Sequence, residues 1–346
     1  MCGVVTMNIP IIQTSLIKFG QLWDKNISDL IYKVVEKLDL TDVDAAFVAN
    51  VYHHATGEEL HIDNTACINE EGASGAMALR QAAASIMSGQ CKCAIVLGVE
   101  KATDLTGTQI NNISSLPTEE KSQGATVSSQ FALMAQKYMH EYGIKPADLA
   151  SVASLNHKNA MQNPYAQFAS ELSAEAILQS PMVADPIHTL ECAPHSDGAA
   201  AVVMCHPDSA SSYKVQGHFT ASLIATDYEN TAQRASLTSL DATKKCAKQI
   251  SMKISKAEVY DIYPISELLA VEDLGFAKKG EAWGFIKKNK DMINASGGLK
   301  ACGHAVAATG VRQAIDVLSR LKASEHGLTH SLAGTGRLSV VNIFKK

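Results

Sequence analysis

Two stretches of this sequence follow the same local plan, and together they constrain the fold more than any other feature. The first reads INEEGASG from Ile68, and the second reads INASGG from Ile293. Each follows an apolar strand and runs into a helix that contains the triplet Arg-Gln-Ala, at Arg80 in the first case and Arg312 in the second. An internal duplication explains this order, so the sequence predicts two α/β halves, each with a mixed sheet between helices.

The second stretch, residues 293–310, combines a glycine-rich loop with one histidine. Gly297, Gly298 and Gly303 permit backbone conformations with positive φ and the close approach of another group. His304 is the only residue of the stretch that exchanges a proton near neutral pH, which makes it a candidate acid–base group. The alternative is a tight turn in which the histidine has no chemical role.

The first stretch places a small-residue turn between a predicted strand (65–71) and a predicted apolar helix (76–87). The N-terminus of a helix attracts negative charge through its free N–H groups and its dipole. A nucleophile often stands at such an elbow, so this turn is a second candidate for part of a reactive site. The next apolar run, 93–99, is typical of a strand that is buried on both faces.

The chain has 346 residues, 46% of them hydrophobic, which is enough for two packed domains. A polar segment at 207–213 separates two series of strands and helices, so the predicted halves are 1–210 and 211–346. The net charge of −5, without a basic tract, argues against nucleic-acid binding, and no apolar run reaches membrane-spanning length. The N-terminus lacks the basic region of a signal peptide, so we expect a cytoplasmic protein.

The eight cysteines are scattered along the chain. Cys91 and Cys93 form a C-x-C rather than a C-x-x-C, and no second pair lies at the spacing of a zinc ribbon. We therefore expect no metal site, and free, mostly buried thiols in a reducing compartment.

The rest of the pattern predicts irregular chain at 101–129 and an amide-rich loop at 156–168 that either packs against the protein or contacts a ligand. A long helical region is expected at 232–250. Further strands are expected at 4–12, 43–51, 199–204, 215–225, 259–263 and 338–344.

The residues of the second stretch resemble a known family signature. The pattern N-x-S-G-G-L-K-x-x-G-H, followed by A-T-G, is similar to the C-terminal signature of thiolases, most closely those of the sterol-carrier-protein type and the archaeal acetyl-CoA acetyltransferases. Segments 72–89, 98–101, 132–143 and 196–203 resemble other family stretches in the family's order. The resemblance implies the five-layered αβαβα thiolase fold of two duplicated halves, an inserted loop domain at about 101–168, and a homodimer.

The resemblance also implies an acyl-CoA thioester as substrate and no further cofactor. Thiolases make or break a carbon–carbon bond beside the thioester, which requires a cysteine thiolate, an acid–base group and an oxyanion hole. Gly72 stands where the resemblance implies that cysteine. Cys67, five residues upstream, and Cys302, two residues before His304, are the alternative thiols.

The other family motifs are partly kept. The sequence YDIY, from Tyr260 to Tyr263, stands where this branch carries HDCF or HDAF. Tyr260 is therefore a candidate proton donor, and Tyr263 is a second candidate catalytic tyrosine. Gly303 and His304 match the family's Gly-His-Pro, with alanine in place of the proline. The resemblance implies that His304 polarises the thioester oxygen, with Asn294 and Gly303 supporting the oxyanion site.

Three functions are compatible with these residues. The first is a thiolase-like acyl-CoA enzyme of the acetyl-CoA acyltransferase family with a degenerate nucleophile. The second is a thiolase-fold retro-aldolase on a β-hydroxyacyl-CoA, which uses tyrosines and works with a small OB-fold partner. The third is a non-catalytic subunit that supports a sister thiolase-family subunit. The first function requires a cysteine sulfur within about 4 Å of His304 in an open cleft.

Overall fold

The computed structural model describes residues 7–53, 55–114 and 116–346. Its strands are β1 (Ile9–Leu16), β2 (Ala45–Ala49), β3 (Thr65–Ile68), β4 (Cys93–Glu100), β5 (Met182–Ala184), β6 (Ile187–His188), β7 (Gly198–Cys205), β8 (Gly217–Thr226), β9 (Ile254–Glu258), β10 (His326–Ala333) and β11 (Leu338–Lys345). Its α-helices are α1 (Ile27–Val35), α2 (Ser74–Met87), α3 (Gly107–Ile113), α4 (Thr118–Ser122), α5 (Val127–Tyr142), α6 (Pro146–Ala160), α7 (Ala174–Gln179), α8 (Asp241–Ala247), α9 (Pro264–Asp273), α10 (Ala282–Lys288), α11 (Gly298–Cys302) and α12 (Thr309–Arg320). None of the helices within these described ranges is long and apolar enough to cross a membrane.

Nine strands form one sheet, in the order β3-β2-β4-β7-β1-β8-β11-β10-β9, while β5 and β6 pair separately. The two halves of the sheet meet where β1 runs antiparallel to β8, from the pair Ile9–Phe219 to the pair Ile11–Gly217. The sheet is therefore continuous across the boundary between the N-terminal and C-terminal parts of the chain.

Both halves of the sheet have the same strand plan. In the first half, β2 is parallel to β4, β4 is antiparallel to β7, and β7 is antiparallel to β1. In the second half, β9 is parallel to β10, β10 is antiparallel to β11, and β11 is antiparallel to β8. A parallel bridge between Ala257 and Ile293 takes the place that the β2–β3 pair has in the first half. The predicted duplication is confirmed by the order and direction of the strands.

Helices α2 and α12 lie between the two half-sheets. Helix α2 packs on β2 and β4 and also on β11, while α12 packs on β9 and β10 and also on β7. Both are buried on most sides, as expected for helices between two sheets. Helix α1 covers β4 and β7, and α8 covers β8 and β11 from the other side. The layers therefore follow the αβαβα order that the resemblance implied.

The two central helices approach closely where each carries a glycine in its first turn. A Cβ on Gly75 would lie 2.5 Å from the carbonyl oxygen of Ala307, and one on Gly310 would lie 2.5 Å from the backbone nitrogen of Ala76. Because no side chain fits at either position, these glycines allow the N-termini of α2 and α12 to meet. The residues just before the two helices are thereby brought together.

Two predicted segments differ from the structure because side chains bond the backbone or each other. Residues 156–160 belong to α6 rather than to a loop, since the amide of Asn156 donates to Asp261 (2.9 Å) and to Glu267 (2.7 Å). The region 232–250 contains only α8 as α-helix. Ahead of α8, Ser236 Oγ accepts from the backbone N–H of Thr238 (3.1 Å), a local bond that competes with helix formation.

The predicted strand at 259–263 is also wrong, because β9 ends at Glu258. The backbone N–H of Val259 donates to Oδ1 of Asn294 (2.8 Å), and that of Tyr260 donates to Nδ1 of His330 (3.4 Å). Side chains thus take the bonds that a neighbouring strand would otherwise supply. The first strand begins at Ile9, and residues 4–6 of the strand predicted at 4–12 lie outside the described residues.

Candidate active site

A cleft opens beside the N-termini of the central helices, and Gly72, Tyr260 and His304 line it. It encloses about 660 Å³ of empty space, part of it open to solvent. Gly72 precedes α2, Tyr260 lies between β9 and α9, and His304 lies between α11 and α12. The apolar wall residues are Val51, Ile110, Ile113, Val127, Ile262 and Val306, and the polar ones include Tyr52, Glu71, Asn111, Ser128, His195 and Tyr263.

Tyr260 and His304 form a hydrogen-bonded pair in this cleft. Oη of Tyr260 lies 3.1 Å from Nε2 of His304, and the other ring nitrogen, Nδ1, lies 2.8 Å from Oγ1 of Thr309. Thr309 donates its own proton to the carbonyl of Ala305 (3.1 Å), so its oxygen accepts from Nδ1–H. Nε2 is therefore the unprotonated nitrogen, and Tyr260 donates to it. This arrangement can move a proton from the phenol to the imidazole.

The phenol of Tyr260 occupies the space next to Gly72. A Cβ built on Gly72 would lie 2.3 Å from Oη and 2.7 Å from Cζ of Tyr260, and 2.6 Å from the carbonyl oxygen of Leu332. These distances are far below van der Waals contact. Position 72 therefore accepts no side chain while Tyr260 stays where it is, because the tyrosine hydroxyl fills the space that a side chain at position 72 would need.

Burial sets the protonation state of both partners. It lowers the pKa of His304 well below its usual value, and His195 and Arg312 act in the same direction. Burial also raises the pKa of Tyr260 well above its usual value, and the negative charge of Glu71 adds to that shift. At neutral pH the pair is thus a neutral phenol and a neutral imidazole, which are the states that their hydrogen bond requires.

His195 is a candidate that sequence reasoning missed. It precedes the turn at 196–198, and its backbone pairs with that of His304: Ser196 N–H donates to the His304 carbonyl (3.2 Å), and His304 N–H donates to the Pro194 carbonyl (3.0 Å). The ring is exposed to the cleft, yet protein surrounds it deeply enough for burial to lower its pKa. A neutral imidazole in this position can donate one hydrogen bond to a ligand. A histidine beside a turn was the only signal in the sequence.

Glu71 adopts a strained backbone conformation directly before Gly72. Its φ of 48° lies in the left-handed region, which costs a residue other than glycine about 1–3 kcal/mol. Its carboxylate lines the cleft and accepts a hydrogen bond from the backbone N–H of Gly334 (2.6 Å). This bond ties the turn after β10 to the elbow before α2, so a contact between the two halves helps to hold the strained conformation.

The buried carboxylate of Asp261 anchors the loop that carries Tyr260. It accepts hydrogen bonds from the backbone N–H groups of Leu299 (2.6 Å) and Lys300 (3.3 Å) in α11, and from the amide of Asn156 (2.9 Å). Burial raises its pKa to about 6, while the two backbone bonds act to lower it. Because α11 leads directly to His304, these hydrogen bonds of Asp261 fix the position of Tyr260 relative to His304.

The sequence matches two family models that together span most of the chain. One is described as the thiolase N-terminal domain and covers residues 10–208, and the other is described as thiolase C-terminal domain-like and covers residues 219–346. The chain belongs to the thiolase family. The family resemblance inferred from the sequence, and the thiolase fold that it implied, are both confirmed.

Relatives of this thiolase-family chain include enzymes and carrier proteins. An acetyl-CoA acetyltransferase of Methanothermobacter thermautotrophicus is 35% identical over 98% of this chain and 100% of its own. Sterol carrier protein 2 of Gallus gallus is 28% identical over 80% of this chain and 57% of its own. Among solved structures, an Ltp2-ChsH2(DUF35) aldolase has a TM-score of 0.81 and 18% identity, with 97% of each chain covered. That last likeness concerns the fold.

Tyr263 also lines the cleft. Its hydroxyl lies 2.7 Å from Oγ of Ser128 in the first turn of α5, and burial raises its pKa. Asn294 and Gly303 are not among the lining residues. Asn294 instead holds the backbone of Val259, and Gly303, with φ of 93°, donates its N–H to the Leu299 carbonyl (3.0 Å) and ends α11.

Neither candidate thiol reaches the cleft. Cys67 is exposed on β3, where its sulfur lies 3.7 Å from the carbonyl oxygen of Ala55. Cys302 is fully buried and donates to the carbonyl of Ser296 (3.2 Å), and burial raises its pKa to about 12. In the part of the chain that the structure describes, no cysteine lines the cleft, and no three His, Cys, Asp or Glu side chains converge as a metal site would require.

Proposed function

We propose that this chain cleaves the bond between the α- and β-carbons of a β-hydroxyacyl-CoA thioester by a retro-aldol reaction, and forms the same bond in reverse. The observation that supports this most directly is the position of Tyr260, whose phenol fills the space beside Gly72 and donates to His304. Acyl transfer requires a thiolate as acyl carrier at that place. Retro-aldol cleavage requires an acid–base group there and no acyl carrier.

The Tyr260–His304 pair supplies the proton transfers of this reaction. The β-hydroxyl proton of the substrate passes to Oη of Tyr260 while the phenolic proton passes to Nε2 of His304. The α–β bond breaks, its electron pair moves into the thioester as an enolate, and the β-carbon leaves as the carbonyl carbon of an aldehyde or ketone. The enolate then takes a proton from the pair at its α-carbon. This step yields a shorter acyl-CoA and restores the neutral phenol and imidazole.

The enolate oxygen requires a donor that is already in place before the bond breaks. We assign this role to His195, because its ring faces the same cleft and its backbone is paired with that of His304. The lowered pKa of His195 keeps the ring neutral at neutral pH, so it stabilises the enolate by a hydrogen bond rather than by a full charge.

We further propose that the chain acts as a homodimer and works with a small OB-fold protein or a sister thiolase-family subunit. The structural relative with the TM-score of 0.81 carries an aldolase and a DUF35 component in its name. Strand β3 lies at an edge of the sheet with Ala66 and Cys67 exposed, so its unpaired backbone groups are available to a second copy. Light scattering of the purified chain, alone and with the candidate partner, measures both associations.

The activity is tested with purified protein and a series of β-hydroxyacyl-CoA thioesters, with and without the partner. Mass spectrometry quantifies the shortened acyl-CoA and the released carbonyl compound. We expect cleavage by the wild-type chain and its loss in Tyr260→Phe, which keeps the ring and removes the proton. A covalent acetyl-enzyme that is trapped from acetyl-CoA and lost in Cys67→Ala or Cys302→Ala contradicts this proposal and supports acyl transfer instead.

A non-catalytic subunit is the second candidate, and the burial of the reacting pair favours it. Only 4% of Tyr260 and 2% of His304 is exposed, so a substrate has little open surface of these residues to contact. Such a subunit binds no coenzyme A and co-purifies with a catalytic chain. Calorimetric titration with coenzyme A distinguishes the two candidates, because a retro-aldolase binds it and the subunit does not.

A further inference from the structure

Two cysteines face each other across β4 and β7, far from any residue assigned to the reaction. Cys93 is the first residue of β4, Cys205 is the last residue of β7, and they are direct partners in the antiparallel register. The backbone N–H of His206 donates to the carbonyl of Lys92 (2.7 Å), so the 92–206 pair is of the hydrogen-bonded kind. The adjacent 93–205 pair is therefore of the non-hydrogen-bonded kind, in which opposite side chains are closest.

This register satisfies the geometry of a disulfide. Opposite Cα atoms of a non-hydrogen-bonded pair lie about 4.5 Å apart, and a disulfide joins Cα atoms about 4.4–6.8 Å apart. Both side chains point to the same face of the sheet and pack in one apolar cluster with Leu97 and Val203. Cys91 packs in a different cluster, with Ala94 and Met204 on the opposite face, so it cannot replace Cys93.

The two thiols already interact in the reduced protein. The proximity of the two thiol groups raises the pKa of Cys93 and lowers that of Cys205. Both side chains are buried, at 3% and 0% exposure. They nevertheless lie at the ends of their strands, where the next residues are the exposed Lys92 and the half-buried His206, so opening this end breaks few ladder bonds.

We propose that Cys93 and Cys205 form a reversible disulfide when the protein meets a peroxide. One thiol attacks the peroxide oxygen and becomes a sulfenic acid, with release of one water when the oxidant is hydrogen peroxide. The second thiol then attacks that sulfur, which releases a second water and forms the S–S bond. The pair loses two electrons and two protons in total, and the peroxide is reduced to water. A dithiol reductant reverses the reaction.

The bond would close the end of the strand pair that is opposite to the cleft. Strand β4 runs from Cys93 to Glu100 and β7 runs from Gly198 to Cys205, so the other end of the pair is the one that leads to His195. We therefore expect oxidation to raise the resistance of the first half to unfolding without changing the reacting groups. This inference is independent of the reaction proposed above.

The test uses the full chain in its native state. Wild-type protein is treated with hydrogen peroxide, the remaining thiols are alkylated in denaturant, and peptides are mapped without reduction. We expect the loss of two alkylation sites, a cross-linked peptide pair that contains Cys93 and Cys205, recovery of both thiols with dithiothreitol, and a higher urea midpoint for the oxidised form. Cys93→Ala and Cys205→Ala abolish the cross-link, whereas Cys91→Ala, the matched control, keeps it.

Peptide mapping of the wild-type chain alone decides the question even if a variant folds poorly. The inference is overturned if Cys93 and Cys205 remain fully alkylated under conditions that oxidise the exposed Cys67. It is also overturned if the oxidised thiols end as sulfinic acids, or if the cross-link joins another pair.

Discussion

Replacing Gly72 by alanine tests whether Tyr260 fills the space of a side chain at that position. The new Cβ would lie 2.3 Å from Oη of Tyr260 and 2.6 Å from the carbonyl oxygen of Leu332. Tyr260 is buried and bonded to His304, and Leu332 is part of β10, so neither group moves without losing other contacts. Overpacking of this kind costs about 1–3 kcal/mol of the free energy of unfolding.

The share of this cost that belongs to Tyr260 follows from a double-mutant cycle with Tyr260→Ala. This second change removes the contact with Oη and leaves the contact with Leu332. We therefore expect Gly72→Ala to cost at least about 0.5 kcal/mol less in the Tyr260→Ala background than in the wild type, and still to destabilise. The assay is urea denaturation followed by circular dichroism, with slopes and midpoints compared.

Gly284→Ala is the matched control, because a Cβ on this glycine of α10 meets nothing within 4 Å. We expect it to be neutral or to stabilise by up to about 1 kcal/mol. Equal costs of Gly72→Ala in both backgrounds would refute the claim that Tyr260 fills the space, since the clash would then lie with Leu332 alone. A Gly72→Ala protein as stable as the wild type would refute the close contact itself.

Variants of Tyr260, His195 and His157 should each give a measurable change. Tyr260→Phe should lower kcat for the proposed cleavage about 10²–10⁴-fold with little change in KM; steady-state kinetics checks this, and an unchanged kcat contradicts the relay. His195→Ala should lower kcat about 10²–10³-fold, and His195→Asn should recover part of the loss, whereas equal activity of all three proteins removes His195 from the mechanism. Burial lowers the pKa of His157 to about 4, below the unfolded value of about 6.5. The neutral His157 side chain therefore contributes about 3 kcal/mol to the free energy of unfolding above pH 6.5, and this contribution is lost as the pH falls to 4. His157→Gln should flatten the dependence of unfolding free energy on pH in that window, and curves parallel to the wild type contradict the assignment.

The parts of the fold that the sequence predicts are those with a local signal. The two elbows, their helices and the buried strands β4 and β7 are marked by small residues and continuous apolar runs, and the structure contains them. The sequence pattern does not predict α6, whose C-terminal end carries Asn156, an amide that bonds to buried carboxylates of another segment. Such bonds depend on residues more than a hundred positions away, so local propensity does not record them.

The candidate site was predictable in part for the same reason. Motif comparison identifies His304 as a candidate and shows that position 72 carries glycine instead of cysteine, because each residue lies inside a recognisable stretch. The contact between Gly72 and Tyr260 joins the two halves of the chain and could only be seen after folding. His195 carries no motif of its own; its place in the cleft comes from backbone pairing with the loop that holds His304.

The close contact between Gly72 and Tyr260 limits which substitutions this chain can accept at position 72. Two of the four glycine codons become a cysteine codon by a single base change, so such a codon at position 72 needs one mutation to encode a thiol. That mutation alone places a side chain where the phenol already stands, 2.3 Å from its oxygen at the first carbon. A cysteine at position 72 therefore requires a smaller or displaced side chain at position 260, and also a shift of the Leu332 carbonyl, whose oxygen would lie 2.6 Å from the new Cβ. A thiol at position 72 therefore requires coordinated changes in both halves of the chain rather than a single substitution.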